Sequence, residues 1–175
     1  MKIGIFGGCN TTRLTPVLEE ELKVLASLIN TEQHLVVYGG GKKGVMSIVP
    51  KYFHERGGRV ISINTKEANN GLDECYGENF LYDTLQERQR RLIENSELVI
   101  CLPGGIGTIS ELFDVMAMNN NKIRNVKILL YNFEGFFNHM IEQIKLLGKN
   151  TDEYLIVTNE VNDLMERLKE LIKIE

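Results

Sequence analysis

At 175 residues and 43% hydrophobic content, the chain can bury one sizeable core, and residues 1–175 are expected to form a single domain. A formal net charge of -4 with 25% charged residues excludes a generically basic surface, so no nucleic-acid partner is expected. Cys9, Cys75 and Cys101 are scattered, with no CxxC pair and no histidine at ligand spacing, which predicts free thiols and no metal site.

Short apolar runs alternate with longer helical patterns, the signature of repeated βαβ units. The expected fold is α/β, a Rossmann-like, doubly wound, mostly parallel sheet with helices on both faces. Met1 to Phe6 runs straight into a strand pattern, with no leader-like n-region and h-region. No apolar run approaches the roughly 20 residues that span a bilayer, so no membrane partner is expected and the protein is read as cytoplasmic. Strands are expected at Ile3 to Phe6, Leu35 to Tyr38, Val60 to Ile63, Leu98 to Leu102 and Val126 to Leu130. Leu18, Leu22, Leu25, Ala26 and Ile29 mark a first helix that opens at Thr15-Pro16. Similar steps place helices near 84–95, 108–119 and 134–147, and Val161 to Ile172 forms a closing amphipathic helix. Pro50 falls beyond the first turn of a helix following Gly44, where a kink is expected. Thr65 to Gly77 has the least pattern and reads as a long loop of the kind that covers a site.

Two glycine-rich turns directly follow strands, where open α/β sheets bind ligands. In the first, Tyr38-Gly39-Gly40-Gly41-Lys42-Lys43-Gly44, the backbone can approach a ligand and present N–H groups to an anion. It matches GxGxxG by letter, but Asn64 stands where a dinucleotide site wants an acidic residue for the ribose. Val45 and Met46 exclude a Walker A loop. The second turn is Pro103-Gly104-Gly105-Ile106-Gly107-Thr108-Ile109-Ser110-Glu111. Here Pro103 ends the strand, and Thr108 can cap the helix or bind a phosphate oxygen. Glu111 is expected in the helix's first turn, where the macrodipole alone would favour its charge. A carboxylate beside a phosphate site also suits a reaction in which positive charge develops, such as formation of a ribosyl oxocarbenium ion. Arg88 lies between Leu85 and Leu92 on one helix face, so it points towards the protein and needs an anionic partner. Arg90 and Arg91 are placed on the solvated side.

These residues resemble the LOG family, the cytokinin-activating phosphoribohydrolases also called lysine decarboxylase-like. Pro103 to Glu111 matches its PGGxGTxxE in every fixed position, Tyr38 to Met46 is similar to its YGGGxxGLM, and Phe6-Gly7-Gly8-Cys9-Asn10 is similar to its opening loop. The resemblance implies a homodimer that hydrolyses a nucleoside 5'-monophosphate, typically N6-modified AMP, to free base and ribose 5-phosphate without a cofactor. It implies Arg88 and Glu111 as catalytic residues, phosphate contacts at Gly104, Gly105, Gly107 and Thr108, and a pocket wall at Gly39, Gly40 and Gly41. The chain departs from the family at Gln89, where a lysine is usual, at Lys42 and Lys43, where small residues are usual, and at Ala117-Met118, in place of a Thr-Trp pair. Two alternatives stay open: a module that holds a nucleotide or molybdenum cofactor uncleaved, and an N-glycosidase for another nucleotide such as CMP. Lysine decarboxylation lacks a recognisable Schiff-base lysine. Cys9 reads as a small pocket residue, and His34, His54 and His139 are far apart in sequence.

Overall fold

A computed structural model describes residues 1–68, 74–147 and 151–173. Seven strands form one parallel sheet: β1 (Lys2–Phe6), β2 (Leu35–Tyr38), β3 (Arg59–Thr65), β4 (Glu78–Tyr82), β5 (Leu98–Cys101), β6 (Lys127–Tyr131) and β7 (Leu155–Thr158). Their spatial order is β4-β3-β2-β1-β5-β6-β7, and every neighbouring pair is parallel. The helices are α1 (Pro16–Leu28), α2 (Ile48–Glu55), α3 (Leu85–Glu94), α4 (Ile106–Asn120), α5 (Asn138–Leu147) and α6 (Val161–Ile172). Parallel strands need such crossovers, and the helices then shield both faces from water.

Strand alternation sorts the core into two layers. Ile3, Ile5, Val36, Tyr38, Leu98 and Ile100 face one cluster with apolar residues of α1, α2 and α6. Phe6, Val37, Val99 and Cys101 face the other, with residues of α3, α4 and α5. The expected doubly wound sheet is therefore present, with three helices on each face.

Local chemistry sets several boundaries. Thr15 caps α1 by accepting a hydrogen bond from Leu18 N at 3.2 Å, and Pro16 follows at the first helical position, as expected. Thr84 caps α3 in the same way through Glu87 N, also at 3.2 Å. Pro50 produces no interior kink. A 3-10 turn, Val45–Ser47, precedes α2, so Pro50 is the third residue of a helix starting at Ile48. Its missing N–H lies in the first turn, where no intrahelical partner exists.

The edge strands β4 and β7 add to the five expected. β4 is Glu-Asn-Phe-Leu-Tyr, mostly exposed and with only three apolar residues in a row, and it pairs with β3. The expected loop from Thr65 to Gly77 begins inside β3, and its residues 69–73 lie outside the described residues. The helix expected over 134–147 is a 3-10 turn, Phe133–Gly135, followed by α5. The helix expected from 108 starts two residues earlier, at Ile106.

One side chain locks α4 to the sheet. Buried Asn119 donates from Nδ2 to Val126 O at 2.7 Å and accepts from Val126 N at 2.9 Å, imitating a backbone pairing at the entry to β6. Replacing it leaves a buried donor and acceptor unpaired. Asn119→Ala should therefore cost about 1–3 kcal/mol, read as a lower urea midpoint with an unchanged slope.

Candidate active site

Chain order reverses at β1: β2 to β4 lie to one side of it and β5 to β7 to the other. The crevice outside the carboxyl ends of β1 and β5 is thus the topological switch point, the place where such sheets bind ligands. Gly7-Gly8-Cys9 leaves β1 there and Pro103 to Gly107 leaves β5. Gly8 N donates to Pro103 O at 3.0 Å, holding the two turns together.

The cleft has a volume of about 810 Å³, within the range usual for small-molecule sites. It brings together Gly39, Gly40, Gly41, Arg88, Gly105, Gly107, Thr108 and Glu111. Gly104 is buried just behind this lining, and a Cβ on it would collide with the Thr108 hydroxyl. Thr65, Ala68 and Glu74, from the segment expected to cover a site, also line it, as do Met46, Asn64 and Leu85, to which sequence reading assigned no role at the site. For Asn64 the available signal was its place at the carboxyl end of β3.

α4 begins at the second glycine turn. Gly105 is its N-cap and contributes no side chain, so Thr108 is not the cap but the third helical residue. The first intrahelical bond runs from Ile109 N to Gly105 O at 3.1 Å. The N–H groups of Ile106, Gly107 and Thr108 therefore lack helical acceptors, and Gly105, Ile106 and Gly107 are exposed. This end can hold an anion, favoured by the helix dipole.

Glu111 is the sixth residue of α4, in its second turn rather than its first. The macrodipole acts chiefly within the first turn, so capping does not account for a carboxylate here. Glu111 shares a helix face with Gly107 and Thr108, and its side chain leans towards the N-terminus. Its Oε1 accepts from Arg88 Nη1 at 2.9 Å, and both side chains are largely buried. Burial pushes the Glu111 carboxyl above its ordinary range. The Arg88 charge and hydrogen bond pull it back only in part, and Asp114 adds a smaller push upwards.

Arg88 spends its other donors on the sheet. Nε donates to Ile63 O at 3.0 Å and Nη2 to Gly39 O at 3.2 Å. A Cβ on Gly39 would run into that guanidinium, which gives this glycine a steric reason. Gly40 adopts φ 85°, with its Cα against the Asn64 carboxamide. Tyr38 closes the turn, donating from its hydroxyl to Gly41 O at 3.0 Å and accepting from Tyr76 N at 2.8 Å. Gln89 is absent from the lining. It donates to Ser110 Oγ at 3.0 Å and to Asp114 Oδ2, tying α3 to α4. Lys42 and Lys43 stand at the exposed rim, where Lys42 pairs with Glu74 at 3.0 Å. Cys9 is exposed on the cleft wall. Among the described residues no cluster of His, Cys, Asp or Glu could hold a metal, and no helix is long and apolar enough to cross a membrane.

Fold and site define a Rossmann-like α/β protein with a cleft at the switch point of its sheet. The family described as "Possible lysine decarboxylase" matches residues 46–168, and the chain belongs to this lysine decarboxylase-like, or LOG, family. The cytokinin riboside 5'-monophosphate phosphoribohydrolase LOG5 of Arabidopsis thaliana is 34% identical over 119 residues, covering 67% of this chain and 52% of that protein. LOG2 of the same plant is 28% identical over 154 residues, covering 87% and 70%. The chain thus spans about half the length of the first of these relatives. Among solved structures, the molybdenum cofactor carrier protein of Chlamydomonas reinhardtii superposes with TM-score 0.73 at 17% identity over 98% of each chain. The molybdenum cofactor binding protein of Rippkaea orientalis gives 0.66 at 20% identity over 98% of this chain and 96% of its own. At such identities the likeness concerns the fold.

The position of Glu111 makes stability depend on pH. A carboxyl whose pKa is higher in the folded chain than in the unfolded one holds its proton more tightly when folded. It therefore favours folding on the acid side and loses that advantage as pH rises through the folded value. The melting temperature of the wild type relative to Glu111→Gln should accordingly fall as pH is raised from below 4.5 towards neutrality. A difference that rises with pH would contradict the raised value.

Proposed function

We propose that the chain hydrolyses the N-glycosidic bond of a nucleoside 5'-monophosphate, N6-modified AMP in the first instance, releasing free base and ribose 5-phosphate. The observation that carries this reading is the buried Arg88–Glu111 pair, one helical turn below an uncovered helix N-terminus. Four residues separate Gly107 from Glu111, or about 6 Å along the axis. A 5'-phosphate on the N–H groups of Ile106, Gly107 and Thr108 would direct its ribose towards the carboxylate. The names of the curated relatives support the same reaction.

Catalysis then rests on positioning and charge. The N-terminus of α4 fixes the phosphate, with the Thr108 hydroxyl beside it. Glu111 faces the anomeric carbon, stabilises the positive charge that grows there as the base departs, and orients the water that adds to that carbon. One proton of that water stays on the new hydroxyl and the other is given up, while the departing base nitrogen takes up one proton, directly or through solvent. Arg88 favours the ionised carboxylate and holds it in place; a guanidinium is a poor proton donor in catalysis. Gly39, Gly40 and Gly41 form the opposite wall, Gly104 packs behind the phosphate turn, and Gly105 opens it. The same reading takes residues 1–175 as one domain on one sheet, working as a cytoplasmic homodimer without a cofactor.

The competing reading is a module that binds without cleaving, a role in keeping with the names of the two solved neighbours. Incubation with a panel of nucleoside 5'-monophosphates, including N6-alkyl-AMP and CMP, separates the readings through ribose 5-phosphate release. Hydrolysis is expected, and Glu111→Gln should lower kcat by about 10²–10⁴-fold. Full activity of that variant overturns the assignment of Glu111. Tight binding with no release across the panel favours the module.

A further inference from the structure

The end of the cleft remote from the phosphate turn contains a buried polar side chain. Asn64 is 3% exposed, lines the cleft and lies against Gly40. Its Nδ2 donates to Asn79 Oδ1 at 2.6 Å and to Cys75 Sγ at 3.4 Å. Its Oδ1 accepts no hydrogen bond from a described residue, and it is not among the sealed buried atoms left without partners. The face open to that oxygen is the cleft.

Asn79 is the neighbour that holds the orientation seen here. Its Oδ1 accepts from Asn64 Nδ2 and lies 3.1 Å from the Ser62 hydroxyl, which is also 3.3 Å from Glu78 O. Turning Asn64 alone would set two carbonyl oxygens against each other and give up the 2.6 Å bond; only a joint turn of both amides keeps it, with Ser62 Oγ then accepting from Asn79. In this arrangement the cleft is offered an acceptor.

The position of Asn64 suits the base of a nucleotide. From β5, which carries the phosphate turn, to β3 is three strand steps in the order β3-β2-β1-β5, roughly 14 Å. Arg88 lies within this interval, its guanidinium bonded both to Glu111 and to the carbonyl of Ile63, the residue before Asn64. A ligand with its phosphate on α4 and its anomeric carbon at Glu111 would extend its base towards Asn64 Oδ1.

The geometry points to Asn64 as a specificity-determining residue that accepts a hydrogen bond from an exocyclic amino group of the base, selecting amino-bearing bases over their oxo counterparts. This rests on the nucleotide reading above. An N6-alkylated adenine keeps one such N–H, and cytosine keeps two. Hypoxanthine and uracil would instead bring a carbonyl oxygen against Oδ1, leaving a buried polar group facing a like group.

Binding separates this inference from hydrolysis. Dissociation constants for AMP against IMP, and CMP against UMP, are measured by calorimetry on Glu111→Gln, in which the chemistry is slowed. Preference for the amino member by about 10–100-fold is expected in at least one pair. Adding Asn64→Leu should collapse the ratio by weakening the amino member alone. Adding Asn79→Leu, outside the cleft lining, should narrow it by letting the amide turn and so improving the oxo member; this variant carries the test if Asn64→Leu does not fold. Equal affinities, equal weakening of both members, or no binding of any of the four overturns the role of Asn64. A retained ratio with no ribose 5-phosphate from the wild type on any nucleotide overturns hydrolysis alone.

Discussion

The guanidinium of Arg88 is where the separate parts of the molecule meet. It rises from α3, pairs with a carboxylate on α4, and donates to backbone oxygens at Gly39 and Ile63. Removing a charge from water is expensive unless its donors are satisfied, and here three different elements satisfy them. The arrangement constrains its surroundings in turn. Gly39 must lack a side chain, Glu111 must lie one turn inside its helix, and β2 and β3 must end at matching heights.

The same interaction shapes the electrostatics of the cleft. Glu111 is pushed towards its neutral form by burial and drawn back by the arginine, so its charge is sustained largely by one neighbour. The N-terminus of α4, by contrast, could hold an anion without a side-chain cation. It presents unsatisfied N–H groups close to a glycine-rich surface. Lys42 and Lys43 sit at the rim, and Lys42 is engaged by Glu74. Charge and positioning are thus divided between the two ends of the cleft, which suits a ligand anchored at one end and recognised at the other.

The departures from the family pattern take on structural meaning in this setting. Gln89 serves as a strap between α3 and α4 through Ser110 and Asp114, holding the helix that carries Arg88 against the helix that carries Glu111. Pro50 is accommodated because a 3-10 turn delays the start of α2. Leu85, which shares a face with Arg88, is exposed and lines the cleft, whereas Leu92 on that face is fully buried. The helix face that reads as simply inward is inward at one end and open to the cleft at the other.

The sequence alone determined the alternation of strands and helices, the two glycine turns and the inward aim of Arg88, because periodicity and turn chemistry act over a few residues. Thr15-Pro16 at the start of α1 was legible for the same reason. Only the tertiary structure decided that β4 is a strand, since Glu78 to Tyr82 pairs with β3. It also decided that α4 starts at Ile106, moving Glu111 out of the first turn, and that Gln89 faces Asp114 rather than the cleft. The place of Asn64 across the cleft from the second glycine turn depends on strand order, a product of long-range pairing that no local pattern encodes.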